Sequence, residues 1–188
     1  MLAGVPGPAS THHLQGDGDD RAILLAAVER RALTGLIVMS RHRRLAEHRP
    51  SPSRRASLAS GGGIRASALE VAAGYTAFAD GGVYHAPDGT SERVMPSDTA
   101  RTVMTMLDRV VNDADGTGQA ARIDGIRVAG KTGTAQSRGG RYYASFVGIV
   151  PADAPRFVVL VGVDGVTGAG GTVAAPVFAK IASRAAHK

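Results

Sequence analysis

The octapeptide Gly125-Ile126-Arg127-Val128-Ala129-Gly130-Lys131-Thr132 concentrates the chemistry of this sequence and fits two different sites. Letter for letter it satisfies G-x-x-x-x-G-K-[ST], a loop whose backbone N–H groups cradle nucleotide phosphates while the lysine reaches the terminal ones. Such a nucleotide site needs a buried strand before the first glycine. It also needs a helix opening at the lysine, so that the helix N-terminus faces the anion. Thr117 to Asp124 is not an apolar strand, and Thr132-Gly133-Thr134-Ala135-Gln136 is a poor helix start. The other possibility places Lys131-Thr132-Gly133-Thr134 on a strand. There the Lys131 ammonium and the Thr132 and Thr134 hydroxyls form an electropositive, donor-rich strip suited to a carboxylate. Gly133, lacking a side chain, lets a ligand approach the backbone, and a free N–H along a sheet edge can stabilise an oxyanion. A plain polar strand that happens to hold a lysine is the third option, and these four residues alone leave all three open.

The elements that would position this motif are legible on both sides of it. Ser67-Ala68-Leu69-Glu70 is a capping box, with the serine capping an orphan N–H and the glutamate reaching back. It predicts a helix with Leu69, Ala72, Ala73 and Thr76 on one side, ending at Gly81-Gly82. A second helix is expected from Ser97-Asp98, where Val103, Met104, Leu107, Val110 and Val111 follow helical spacing, closing before Asp115-Gly116. Strand signals then run over Ile126 to Gln136, Tyr142 to Val150 and Phe157 to Val163. The turn-rich Ser137-Arg138-Gly139-Gly140 and Pro151-Ala152-Asp153-Ala154-Pro155 separate them. Such short connections favour antiparallel pairing, because a parallel crossover needs a dozen residues or more. A final helix is expected from Val173 to Ala185, with Pro176 tolerable only in its first turn. The fold class is therefore α+β, an antiparallel sheet flanked by helices.

Composition excludes several classes of function. With no cysteine in 188 residues, disulfide scaffolds, thiolate nucleophiles and cysteine-based zinc or iron–sulfur sites are ruled out. The histidines are scattered, the adjacent His12–His13 pair reads as solvated, and neither a metal nor a cofactor is expected. The net charge of +6 is uneven: residues 1–60 hold nine arginines against five acidic residues, and six of those arginines crowd between Arg41 and Arg55. No aromatic residue precedes Tyr75. Without aromatics for stacking or a recognisable binding fold, this tract reads as a solvated segment, and no nucleic-acid partner is expected. The most apolar stretch, Ala22 to Met39, is broken by Glu29, Arg30 and Arg31, so no membrane segment is expected, nor is a signal peptide legible.

Several ordered motifs from about Ile64 to the end resemble the class B penicillin-binding proteins, the septal and elongation transpeptidases. They are Ala68-Leu69-Glu70-Val71-Ala72-Ala73-Gly74-Tyr75 with Ala79-Asp80-Gly81-Gly82-Val83, then Gly116-Thr117-Gly118, and Val128 through Gln136 around Lys131-Thr132-Gly133-Thr134. Tyr143-Ala144-Ser145-Phe146-Val147-Gly148 with Pro151-Ala152-Asp153 follows, and Gly171-Thr172-Val173-Ala174-Ala175-Pro176-Val177-Phe178 closes the set. The resemblance implies a penicillin-binding transpeptidase fold. It also implies the family's chemistry, in which a serine in S-x-x-K attacks the D-Ala-D-Ala end of a peptidoglycan stem peptide and β-lactams trap that serine. On this chain it assigns Lys131 and Thr134 to the catalytic machinery and Lys131, Thr132, Gly133 and Thr134 to substrate or drug binding. The Thr134 N–H would join the oxyanion hole.

The departures shape the remaining expectations. The lysines Lys131, Lys180 and Lys188 are preceded three positions earlier by Val128, Val177 and Ala185, so S-x-x-K is absent. Asn112 is the single asparagine and follows Val110 by two, so S-x-N is absent too. The expectation is a truncated transpeptidase, inactive alone: residues 63–188 form the C-terminal portion of the domain, and residues 1–62 are disordered or foreign to the family. A non-catalytic module binding stem peptide or a partner is the alternative, and a P-loop nucleotide binder the remote one. The family is extracytoplasmic and membrane-anchored; with neither signal nor anchor legible, the location here is read as cytoplasmic or left undetermined. A sheet deprived of its helical half would expose apolar surface and associate through it.

Overall fold

Two short turns of different composition divide the chain after Val128 into strands: the first relies on glycines, which adopt left-handed conformations cheaply, and the second, residues 151–156, holds two prolines and no glycine. In the computed structural model, which describes residues 23–29 and 66–186, strands β4 (Ala129–Gln136), β5 (Tyr142–Val150) and β6 (Phe157–Val166) form an antiparallel meander. The β4–β5 reversal uses Gly139 and Gly140 at φ of 67° and 70°. Strand β1 (Ile23–Glu29) pairs antiparallel with the far edge of β6, giving the order β1-β6-β5-β4 and leaving β4 at an edge. A separate hairpin joins β2 (Val83–His85) to β3 (Ser91–Arg93).

Alternation along the strands separates two apolar layers. On one face Phe146, Val159, Val161 and Val163 pack against α3 (Gly170–Ala186) through Ala174, Phe178 and Ala182. The Phe146 and Phe178 rings lie 4.8 Å apart, and Gly148 leaves the space that the Phe178 ring occupies. On the other face Ala129, Val147, Ile149, Val158 and Leu160 meet Leu69 and Ala72 of α1 (Ala68–Ala79) and Leu107 of α2 (Ser97–Asn112). Full burial of a large apolar side chain contributes about 1.5–3 kcal/mol, so both layers hold the sheet.

The capping box forms as read: the Ser67 hydroxyl accepts from the Glu70 N–H, and the Ser67 N–H donates to the Glu70 carboxylate at 2.7 Å. Other expectations are corrected. Strand β4 begins at Ala129 rather than Ile126, because Ile123 to Ile126 is spent in a tight turn closed by Ile126 N–H to Ile123 carbonyl at 3.1 Å. Helix α3 opens at Gly170, where the Thr172 and Val173 N–H groups already reach the Ala169 carbonyl, so Pro176 lies inside the helix rather than in its first turn. The P-loop geometry fails, since Lys131 sits within a strand that continues to Gln136 and no helix opens there. The expected apolar exposure fails as well: helices cover both faces of the sheet, and among the described residues the exposed large apolar side chains are Val94, Met106 and Tyr142. Strand β1 lies within the segment 1–62 that composition set apart. The Arg41–Arg55 tract and His12–His13 lie outside the described residues. Among the described residues no helix is long and apolar enough to cross a membrane.

Candidate functional site

The four residues singled out in the sequence occupy consecutive positions on the edge strand β4, opposite Val147, Phe146, Ser145 and Ala144 of β5. Because side chains alternate, Thr132 and Thr134 point to the face where α3 begins, and Lys131 points to the opposite face. The two sides meet at the free edge, where Lys131 Nζ curls back to donate to the Thr132 carbonyl at 2.8 Å. Lys131 is exposed and Thr132 half-buried. The backbone of Gly170 nests over Gly133, so close that a Cβ on Gly170 would overlap the carbonyl oxygens of Gly133 and Ser145. A Cβ on Gly133 would in turn overlap Ser145 Oγ on the other side.

This nesting sets the polarity of the hydroxyls. The Gly170 N–H donates to Thr134 Oγ1 at 3.2 Å, so the Thr134 proton remains available to a ligand. Thr132 Oγ1 and Thr117 Oγ1 lie 2.9 Å apart; their mutual bond uses one proton and leaves one to give. The N-terminus of a helix carries partial positive charge and favours an anion placed before it. Lysine, two threonines and that helix end therefore converge as donors on one edge, an arrangement suited to a carboxylate.

Helix α2 fixes the strand at its entry. Asn112 Nδ2 donates to the Val128 carbonyl at 3.0 Å and to Asp108 Oδ1 at 2.9 Å. Asp108 also receives a two-pronged contact from Arg127, at 2.7 Å through Nε and 2.7 Å through Nη2. That carboxylate raises the Arg127 guanidinium above its ordinary range, first through the hydrogen bonds and then through charge. Arg122 closes the α2 C-terminus, donating to the carbonyls of Val111, Asn112 and Asp113 at 2.8–3.1 Å. Beyond the strip, the Ser137 hydroxyl and then the Gly165 N–H hold the Asp164 carboxyl below its usual range, tying β6 to the end of β4.

The sequence matches the penicillin binding protein transpeptidase domain over residues 42–183. The chain belongs to the penicillin-binding protein transpeptidase family. Its relatives include the stage V sporulation protein D of Bacillus subtilis, 34% identical over 161 residues that take in 71% of this chain and 25% of that protein. The transpeptidase domain of FtsI4 D,D-transpeptidase from Legionella pneumophila is 32% identical, with a TM-score of 0.63 over 74% of this chain and 54% of that one. A peptidoglycan glycosyltransferase from Burkholderia ambifaria is 37% identical, with a TM-score of 0.65 over 74% of this chain and 47% of that one. The chain spans about a quarter of the length of the curated relatives it matches.

The transpeptidase match begins 21 residues before position 63, inside the segment that composition set apart. Within the fold, Lys131, Thr132, Gly133 and Thr134 come together as one strip, although on two faces. Thr117 and Gly170 were missed as site residues, and only the tertiary fold brings them to the strip. Their signal lay in the glycines around them. Gly116 and Gly118 press the Thr117 loop onto the end of α2, where the Gly118 N–H donates to the Val110 carbonyl at 2.8 Å. Gly171 lets the Thr117 backbone lie directly against α3.

Proposed function

We propose that this chain carries the carboxylate-recognition element of a peptidoglycan D,D-transpeptidase, binding the D-Ala-D-Ala terminus of a stem peptide, or the carboxylate of a β-lactam, along β4. The observation that supports it best is the Gly170 N–H on Thr134 Oγ1, which turns the Thr134 proton toward the free edge that Lys131 flanks. Lys131 supplies charge, Thr134 supplies a directed donor, the Thr132–Thr117 pair supplies a second, and Gly133 makes room for Ser145 Oγ of β5 between them. The 188 residues hold neither S-x-x-K nor S-x-N, so binding at the strip proceeds without acylation there.

Equilibrium binding of an N-acetylated peptide ending in D-Ala-D-Ala tests the proposal. Lys131→Ala and Gly170→Ala should each weaken binding about tenfold, near 1.4 kcal/mol. Intact mass after excess benzylpenicillin should be unchanged. Equal affinity in wild type and both variants would overturn the assignment of the strip, and a stoichiometric drug adduct would overturn its non-covalent character.

A further inference from the structure

A second cluster of reactive side chains lies away from the strip, on the β2–β3 hairpin. His85 and Ser91 are cross-strand partners. The flanking bonds, Ala86 N–H to Thr90 carbonyl at 2.8 Å and Val94 N–H to Gly82 carbonyl at 2.9 Å, make 85–91 a non-hydrogen-bonded pair. In such a pair the side chains sit closest, and the N–H and C=O of each residue turn away from the other strand. His85 Nδ1 lies 2.8 Å from Ser91 Oγ, and His85 Nε2 lies 2.7 Å from Asp80 Oδ2. A carboxylate can only accept, so Nε2 carries the proton toward Asp80, and in the neutral imidazole Nδ1 presents its lone pair to the serine hydroxyl.

The imidazole is held from three directions. Asp80 caps α1, its N–H donating to the Thr76 carbonyl at 2.8 Å, which fixes the carboxylate relative to the helix. The buried Thr76 hydroxyl receives the His85 N–H at 2.9 Å, which fixes the histidine backbone. Ser91 completes the set from the neighbouring strand. The His85 and Asp80 side chains are only 20% and 26% exposed, whereas Ser91 is exposed and reachable. Nucleophile, base and orienting carboxylate are thus within hydrogen-bond reach in sequence, the arrangement that activates a serine.

We propose that Asp80, His85 and Ser91 form an acyl-transfer triad, with Ser91 as nucleophile toward small carboxylic esters. Ser91 Oγ bonds to the ester carbonyl carbon while its proton passes to His85 Nδ1. The carbon–oxygen bond to the leaving group then breaks, and the departing alkoxide takes that proton and leaves as the alcohol. Water, deprotonated by the same nitrogen, attacks the acyl-serine; the carboxylic acid departs and Ser91 regains its proton. Asp80 stays ionised and holds the imidazole, and the Ser91 N–H, turned away from β2, is placed to receive the oxyanion. The histidine uses its two nitrogens in the opposite sense to the Ser-His-Asp enzymes, where Nε2 faces the serine; one nitrogen still accepts while the other is pinned. The open face of the hairpin suits short acyl groups.

The proposal stands apart from the β4 strip and is tested with p-nitrophenyl acetate and a fluorophosphonate probe on the full chain. Wild type should release p-nitrophenol above the buffer rate and take up one phosphonate, mapped by peptide mass to Ser91. Ser91→Ala, an exposed change that leaves the core untouched, should bring hydrolysis to the buffer rate and abolish labelling. His85→Gln should lower the rate about a hundredfold or more. Stem-peptide binding in Ser91→Ala should match wild type. Hydrolysis surviving in Ser91→Ala would mean that a histidine acts directly and would overturn the triad. Absence of a Ser91 adduct in the wild type would overturn it as well.

Discussion

The β4 strip and the β2–β3 hairpin each present hydroxyl groups beside a nitrogen-bearing side chain, yet they are equipped for opposite halves of acyl transfer. On the strip Gly170 N–H on Thr134 leaves the Thr134 proton to give, Thr117 and Thr132 keep one proton between them, and Lys131 lies along the edge against the Thr132 carbonyl. An anion is attracted, but no serine on the strip faces an acceptor that could take its proton. On the hairpin the Ser91 hydroxyl faces the imidazole held by Asp80, so a nucleophile is prepared, but residues 83–93 carry no lysine to gather a substrate. Recognition and activation are separable physical tasks. The first needs converging donors, the second an acceptor whose opposite end is pinned.

The two regions also rest on different supports, and the largest perturbation should show it. Phe178 is fully buried against Phe146, in the layer that presses the start of α3 onto β4. Phe178→Ala should cost about 3–5 kcal/mol. Hydrogen exchange should then quicken along β4 and β5 while the hairpin amides, supported by α1, change little. Equal loosening of both regions would show that they are one cooperative unit.

A smaller effect runs the other way. Thr76→Val removes the acceptor of the His85 N–H and should cost about 1–3 kcal/mol, the penalty for a polar group left without its partner. Ester hydrolysis should fall with it while stem-peptide affinity stays unchanged, and a parallel loss of both would dissolve the distinction between the sites.

The smallest effect concerns their ends. Asp164 is held below the ordinary carboxylate range by Ser137 and Gly165 beside the strip, and Asp88 by the Thr90 hydroxyl and N–H in the hairpin turn. A depressed carboxyl pKa contributes stability that is present above the unfolded value and disappears as pH falls through the folded one. The melting temperature should therefore drop on acidification from about pH 5 to pH 3, and Asp164→Asn with Asp88→Asn should flatten that slope. An unchanged slope in the double variant would locate the acid sensitivity elsewhere.

The parts of the fold that could be read in advance were those governed by local rules. The Ser67–Glu70 box starts α1, and α2 covers the helical spacing from Val103 to Val111. The bounds of β5 coincide with the apolar run from Tyr142 to Val150. The parts that escaped were short or ambiguous. Three residues in each hairpin strand are too few to display alternation, so β2 and β3 went unread. Gly170-Gly171 resembles a loop until the Ala169 carbonyl collects the first helical bonds. Strand β1 draws its pairing from β6, more than a hundred positions away.

The strand signals from Ile126 to Gln136 placed Lys131, Thr132, Gly133 and Thr134 on one strand, where adjacency along an extended chain fixes their spacing. Ordered motifs by themselves placed the chain among the penicillin-binding transpeptidases. Only the tertiary structure decided that the strand lies at a sheet edge, that Gly170 turns the Thr134 proton outward while Thr117 pairs with Thr132, and that lysine and threonines occupy opposite faces. The triad belongs to the same class. Asp80 and His85 are five residues apart, but His85 meets Ser91 only once the hairpin sets its register. Hydrogen-bond direction is a property of partners in space, and most of these partners are distant along the chain.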